Sequence, residues 1–170
     1  VGGNDELIFD GSSFIVNASA EVNLKMPFCR ESIAFWEPEN STTMTKYKSM
    51  NEHADLFEAL TLGVRDYAKK CGFSSVIIGL SGGIDSALVT TIATAALGPK
   101  SVHAVLMPSP WSSEDSIKDA LDLTKRLKIT PQTIPITDLM QSFDAILTVP
   151  LGKQPEGVAA ENLQSRIRGT

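Results

Sequence analysis

Cysteine is scarce in this chain of 170 residues: only Cys29 and Cys71 occur. Two thiols so far apart build neither a disulfide framework nor a thiolate metal site. Histidine is equally rare, with His53 and His103 alone, and both are read as structural or exposed rather than as general bases. Basic residues hold no excess. Fifteen Lys and Arg stand against 20 Asp and Glu, a net charge of -5, so nucleic acid is not an expected partner. Long apolar runs are missing as well. The richest stretch, Ala87–Leu97, is interrupted by Thr and is too short to cross a bilayer, so no membrane association is expected. No signal peptide opens the chain, and it reads as cytoplasmic. Asn17-Ala18-Ser19 and Asn40-Ser41-Thr42 are then chance matches to the glycosylation pattern.

What is present is enough apolar residue, 42%, for a packed core. The most informative stretch is Ser74-Ser75-Val76-Ile77-Ile78-Gly79-Leu80-Ser81-Gly82-Gly83-Ile84-Asp85-Ser86. A β-branched run stops at adjacent glycines, and an amphipathic pattern follows with Leu88, Ile92 and Ala96 on one stripe and Val89, Ala93 and Leu97 beside it. That pattern predicts a buried strand, a tight Gly turn and a helix. A helix N-terminus offers unpaired N–H groups and partial positive charge to an anion. Ser81 and Ser86 add hydroxyls. Asp85 adds a carboxylate that a phosphate would repel unless a cation lay between them, so the set points to a metal-bound polyphosphate. No Lys follows Gly83, which excludes the kinase-type Gly-Lys-Ser/Thr loop. The plain alternative is a Gly turn whose helix is capped by Ser and Asp.

Elsewhere the chain alternates in type. Leu7–Phe9 and Phe14–Val16, around Asp10-Gly11-Ser12-Ser13, predict one β-hairpin. Residues 37–50 read as a linker. Asn51–Lys70 carries apolar residues at helical spacing, with Lys69-Lys70 and then Gly72 suiting a helix end. Ser101–Met107 predicts a second strand, and Pro108-Ser109-Pro110-Trp111 a loop. Ser112 with Asp115 resembles a capping box for a further helix, Gln132–Ile136 a third strand, and Asp138 with Gln141 another cap. Ala159–Thr170 begins a last helix. Alternating β and α elements predict a parallel Rossmann-like sheet with helices on both faces. In such folds ligands bind beyond the carboxyl ends of strands, where Leu80–Ser86 and Met107–Trp111 both fall.

Ser81-Gly82-Gly83-Ile84-Asp85-Ser86 resembles the pyrophosphate-binding loop of the ATP pyrophosphatases, the adenine nucleotide α-hydrolase type of fold. Met107-Pro108-Ser109 and Glu161-Asn162-Leu163-Gln164-Ser165-Arg166-Ile167-Arg168 are similar to the segments that follow this loop in NAD synthetases. The opening Val1–Phe14 looks like the late part of the nitrilase-type amidase domain that precedes the synthetase domain in glutamine-dependent members. The resemblance implies residues 1–36 as a β-rich amidase remnant, 37–50 as linker and 51–170 as the first part of a synthetase domain. It implies amidation of nicotinic acid adenine dinucleotide to NAD, with ATP and Mg²⁺, through an adenylate, and with ammonia taken from glutamine.

Carried across by residue, Gly79, Leu80, Ser81, Gly82, Gly83, Ile84, Asp85 and Ser86 would hold ATP phosphates, with Ser81 and Asp85 catalytic and Asp85 the metal ligand. Met107 would line the adenine side, and Asn162 and Arg166 would contact the dinucleotide. Arg166 and Arg168 lie two apart and do not share a helix face. The family's Cys nucleophile is expected before Val1, so Cys29 is read as a plain thiol. A second metal ligand is expected after Thr170, and residues 1–170 alone are not expected to use glutamine. A homo-oligomer is the expected assembly. The rivals are another ATP pyrophosphatase, such as a GMP or asparagine synthetase, and a non-catalytic nucleotide-binding module.

Overall fold

The structure, a computed structural model, describes residues 1–38 and 51–170. Most of the expected linker, residues 39–50, lies outside the described residues. The chain forms two compact units, Val1–Ser74 and Ser75–Thr170.

The first unit is built from short antiparallel strands and one helix. The two apolar runs that predict a single hairpin are both strands, but they do not pair with each other. Strand β1 (Gly2–Asn4) pairs with β2 (Leu7–Phe9) across Asp5-Glu6, and β3 (Phe14–Val16) pairs with β4 (Val22–Lys25). The reason is turn chemistry. Asn17 closes the second hairpin by accepting the N–H groups of Ser19 and Glu21 at 3.0 and 2.9 Å on its side-chain oxygen. That Asx-type turn outcompetes a turn at Asp10–Ser13.

Helix α1 (Glu52–Lys70) follows, capped by Asn51, whose side chain accepts from Ala54 N–H at 2.8 Å. Its carbonyls are closed at the far end by the amides of Cys71, Gly72 and Phe73, as Lys69-Lys70 and Gly72 predict. The helix packs on the first hairpin. Asp66 accepts the Gly3 N–H at 2.8 Å and Lys70 donates to the Gly3 carbonyl.

The second unit is the parallel α/β sheet. Strands β5 (Val76–Gly79), β6 (Val102–Leu106) and β7 (Pro131–Thr133) lie in that order, all parallel. Helix α2 (Ile84–Leu97) joins the first two, ending at Gly98 before a short 3₁₀ turn, and α3 (Glu114–Leu127) joins the second two. Val102, Ala104 and Leu106 project from β6 into one core with Leu80, Ala93 of α2 and Ala120 of α3.

Both crossover helices therefore cover the same face. On the other side Ile77 is 77% exposed and its neighbour His103 is exposed too. The geometry requires this. Right-handed crossovers between strands added in one direction put successive helices on one side, and the second layer comes only where strand order reverses. Three strands in sequence order contain no reversal, so α2 and α3 share one face of the sheet.

Helix α2 resolves its many threonines internally. Thr90, Thr91 and Thr94 donate to the carbonyls four residues back at 2.7–2.8 Å, which lets the fully buried Thr90 sit in the core. Helices α4 (Thr137–Leu151) and α5 (Val158–Gly169) make a smaller core of Ile136, Met140 and Ile167 with Met107 and Leu163. That cluster sets α5 beside the carboxyl end of β6.

Candidate active site

Strand β5 ends at Gly79, Leu80 dives into the core, and the chain turns through Ser81-Gly82-Gly83 into α2. Gly82 has φ +86°, a conformation that side chains with a Cβ resist. Space excludes a Cβ as well, because one at Gly82 would lie 2.1 Å from the Ser116 carbonyl oxygen of α3. The loop and the first turn of α3 touch backbone to backbone.

The hydroxyls knit the loop together. Ser86 Oγ accepts from Ser81 N–H at 3.2 Å, lies 3.0 Å from Ser81 Oγ and donates to the Gly83 carbonyl at 3.0 Å. Ser81 Oγ accepts from Gly83 N–H at 3.2 Å. The N-cap of α2 is Gly83, and no side chain caps the helix. The opening N–H groups of α2 are thus left for something other than a cap, which removes the reading of a Gly turn capped by Ser and Asp.

The second strand ends in a different loop. Ser109 is buried, its N–H donates to Ser112 Oγ at 2.9 Å, and Ser112 N–H returns to the Ser109 carbonyl at 3.0 Å. Ser113, not Ser112, caps α3, accepting from Ser116 N–H at 3.1 Å. Ser112 is drawn back to Ser109 and so cannot serve as the cap. Helix α4 starts one residue before the expected Asp138 cap, with Ile136 as its uncapped N-cap residue.

Between the two loops lies a cavity of about 370 Å³ lined by Gly79, Leu80, Ser81, Met107, Pro108, Trp111, Ser112, Ser113, Ser116 and Arg168, among others. It sits where parallel α/β sheets take ligands, beyond the carboxyl ends of adjacent strands. Met107 leans across to β5, its Cε 3.3 Å from where a Gly79 Cβ would be. Of the residues expected to bind ATP, Gly79, Leu80, Ser81 and Met107 line the cavity, and Gly82 to Ser86 continue from it into α2.

Helix α5 divides its polar residues between two faces. Asn162 and Arg166, expected to touch substrate, share an exposed face and do not line the cavity. Gln164 and Arg168 take the other. Gln164 Nε2 donates to Ser109 Oγ at 2.9 Å, Arg168 Nε donates to the Met107 carbonyl at 3.2 Å, and Arg168 Nη1 donates to Gln164 Oε1 at 3.1 Å. Sequence reasoning had seen that the two arginines diverge but not which one turns inward. Trp111 lines the cavity from the Met107–Trp111 stretch that the sequence sets at the ligand end of the sheet, whereas Ser113 and Ser116 were missed, although a Pro- and Ser-rich loop directly after a strand was the available signal.

Asp85 lies exposed in the first turn of α2, with no ion-pair partner among the described residues. No group of three metal-ligating side chains occurs among the described residues. One free carboxylate beside a phosphate-type loop suits Mg²⁺ that shares its coordination with phosphate oxygens and water, rather than a protein cage.

The two cysteines stand in the first unit, outside this cavity. Cys29 is buried, and desolvation, helped by Asp10, Glu58 and Asp55, pushes its thiol pKa up from 9.0. It stays protonated and unreactive at neutral pH.

A parallel sheet whose first strand feeds an uncapped Gly loop, with a hydroxyl-lined cavity beside it, defines an α/β domain with its cavity at the carboxyl ends of the strands. The comparisons with known proteins narrow that class. Residues 56–170 match the model of NAD synthase. The chain is 50% identical to the glutamine-dependent NAD(+) synthetase of a Synechocystis species over 99% of its length, which is 31% of that protein. A glutamine-dependent NAD⁺ synthetase from Acinetobacter baumannii, solved in complex with ADP, superposes with a TM-score of 0.91 at 36% identity, covering 99% of this chain and 33% of that one. The NH₃-dependent NAD synthetase of Campylobacter jejuni covers 69% of this chain and 49% of its own, with a TM-score of 0.60 at 30% identity. The chain belongs to the NAD synthase family. It spans about a third of the length of the glutamine-dependent relatives it matches.

Proposed function

We propose that this chain carries the ATP-binding part of a glutamine-dependent NAD synthetase. The observation that carries the reading is the Ser81–Ser86 loop, which opens uncapped helix N–H groups beside the cavity. The reaction is the ATP-dependent amidation of nicotinic acid adenine dinucleotide. A carboxylate resists ammonia because its leaving group would be oxide. Attack of a carboxylate oxygen on the α-phosphorus of ATP expels pyrophosphate and gives an acyl adenylate. Ammonia then adds to the acyl carbon, AMP leaves, and the nitrogen loses a proton to give the amide.

In the first step negative charge gathers on the departing pyrophosphate, where Ser81, the loop N–H groups and the α2 N-terminus meet it. Asp85 would hold Mg²⁺ there, and the ion would supply charge neutralisation. Met107 lines the adenine side. Asn162 and Arg166 contact the dinucleotide from the exposed face of α5, so that ligand reaches them from outside the cavity.

Residues 1–36 belong to the glutaminase side of the protein, 37–50 to a linker and 51–170 to the synthetase domain. The family match supports this division, since the NAD synthase model covers residues 56–170 and leaves the first unit's strands outside it. Glutamine is the nitrogen donor and free ammonia its substitute. A homo-oligomer in the cytoplasm is the proposed setting. No helix among the described residues is long and apolar enough to cross a membrane.

The test is NAD formation from nicotinic acid adenine dinucleotide, ATP and Mg²⁺ by the polypeptide that carries this chain. Ammonium and glutamine are supplied in separate reactions, beside Asp85→Ala. Product from both donors, lost in the variant, supports the reading. ATP binding without product from either donor overturns it in favour of a nucleotide sensor.

A further inference from the structure

We infer that Arg168 is a phosphate-binding residue of the nucleotide cavity, presented from α5 as a cationic counterpart to the Ser81–Ser86 loop. Arg168 is the only charged side chain among the residues that line the cavity. The guanidinium is half-buried, and the partners it has are the Met107 carbonyl at 3.2 Å and the Gln164 amide oxygen at 3.1 Å. Both are neutral acceptors. No carboxylate pairs with it among the described residues. A guanidinium has five donors, and these two bonds use Nε and one hydrogen of Nη1, so its charge and its remaining donors are uncommitted.

A half-buried, uncompensated cation is costly unless an anion completes it. The two neutral acceptors fix the guanidinium plane, and Gln164 is itself held by Ser109 at 2.9 Å, so the fork is oriented before any ligand arrives. The same cavity is lined by Ser81, from which the Gly loop leads to the free N–H groups of α2. The anion that fits both is the polyphosphate of a nucleoside triphosphate. This inference rests on the proposed ATP-binding role of the cavity and adds a residue from a different helix to it.

Binding, measured separately from turnover, tests it on the intact protein. Affinities for ATP, ADP and adenosine are measured by calorimetry at low and high salt for the unsubstituted protein, Arg168→Met and Arg168→Lys, with thermal unfolding as the control for folding. Loss of a charged hydrogen-bonding contact predicts ATP and ADP affinity roughly tenfold or more lower in Arg168→Met, with adenosine unchanged and a weaker salt dependence. Arg168→Lys, which keeps the charge without the fork, regains part of the affinity. Equal losses for adenosine and ATP would mean that Arg168 only shapes the cavity, and this would overturn the inference, as would unchanged ATP affinity with weaker dinucleotide binding. If the unsubstituted protein binds ATP but makes no NAD, the synthetase reading falls and the Arg168 comparison still decides this one. Failure of the unsubstituted protein to bind ATP overturns both.

Discussion

Two loops leave adjacent parallel strands at the same end of the sheet, and they spend their polar groups in opposite ways. After β5, the hydroxyls of Ser81 and Ser86 brace the turn and the helix start is left uncapped at Gly83. After β6, Ser109, Ser112 and Ser113 satisfy the local backbone, and α3 is capped by its own Ser113. Both are serine-rich and both open helices of 14 residues. The first leaves its helix N–H groups without a side-chain cap, and the second closes its own with Ser113. A helix N-terminus becomes an anion site only where the chain declines to cap it.

The largest effect is expected where the two loops touch. Gly82→Ala places a Cβ 2.1 Å from the Ser116 oxygen at φ +86°, so the loop must move off α3. A stability loss of roughly 2–3 kcal/mol and near-complete loss of ATP binding are expected, read by denaturant melts and calorimetry. Unchanged ATP affinity would mean that the contact has no part in shaping the site.

Asp85→Asn comes next and isolates function from fold. The side chain is exposed and unpaired among the described residues, so the melting temperature should hardly change while NAD formation falls on the order of 100-fold. A variant with full turnover at limiting Mg²⁺ would remove Asp85 from metal binding.

Gly83→Asp inverts the comparison by giving α2 the side-chain cap it lacks. Its φ of -80° accepts any residue, so the helix should gain a few tenths of a kcal/mol. ATP affinity should drop about tenfold, because the carboxylate occupies the N–H groups and repels phosphate. If both quantities rise together, the α2 N-terminus is not where phosphate binds.

Ser113→Ala makes the complementary change in the other loop. It should cost about 1 kcal/mol of stability, with less effect on ATP affinity than Gly83→Asp has. The smallest effect separates the two cysteines: exposed Cys71 should be alkylated at neutral pH well before buried Cys29, whose pKa is raised. Equal labelling rates in the folded protein would contradict the burial of Cys29.

Much of the site was legible in the sequence because it is local. Gly79–Ser86 reads directly as strand, turn and helix start, since the β-branched run, the double Gly and the apolar stripe each act within a few residues. The end of α1 at Lys69-Lys70 and Gly72 is local in the same way. The strand pairings of the first unit were not legible, because β2 and β3 are each good strands and only competing turns decide their partners. The shift of the α3 cap from Ser112 to Ser113 followed from a contact with Ser109 that has no sequence period.

What the sequence by itself determined is the order of elements, the parallel α/β class and the loop that marks the site, all consequences of short-range backbone preference and apolar spacing. Tertiary structure alone decided which face of α5 turns inward. Asn162 with Arg166 and Gln164 with Arg168 are equivalent i, i+4 pairs on opposite sides of one helix. Burial of Ile167 and Leu163 against Met107 and Met140 rotates the second pair toward the cavity. Only packing against a strand end some sixty residues earlier could make that choice, because Arg168 and Met107 are 61 residues apart in the chain.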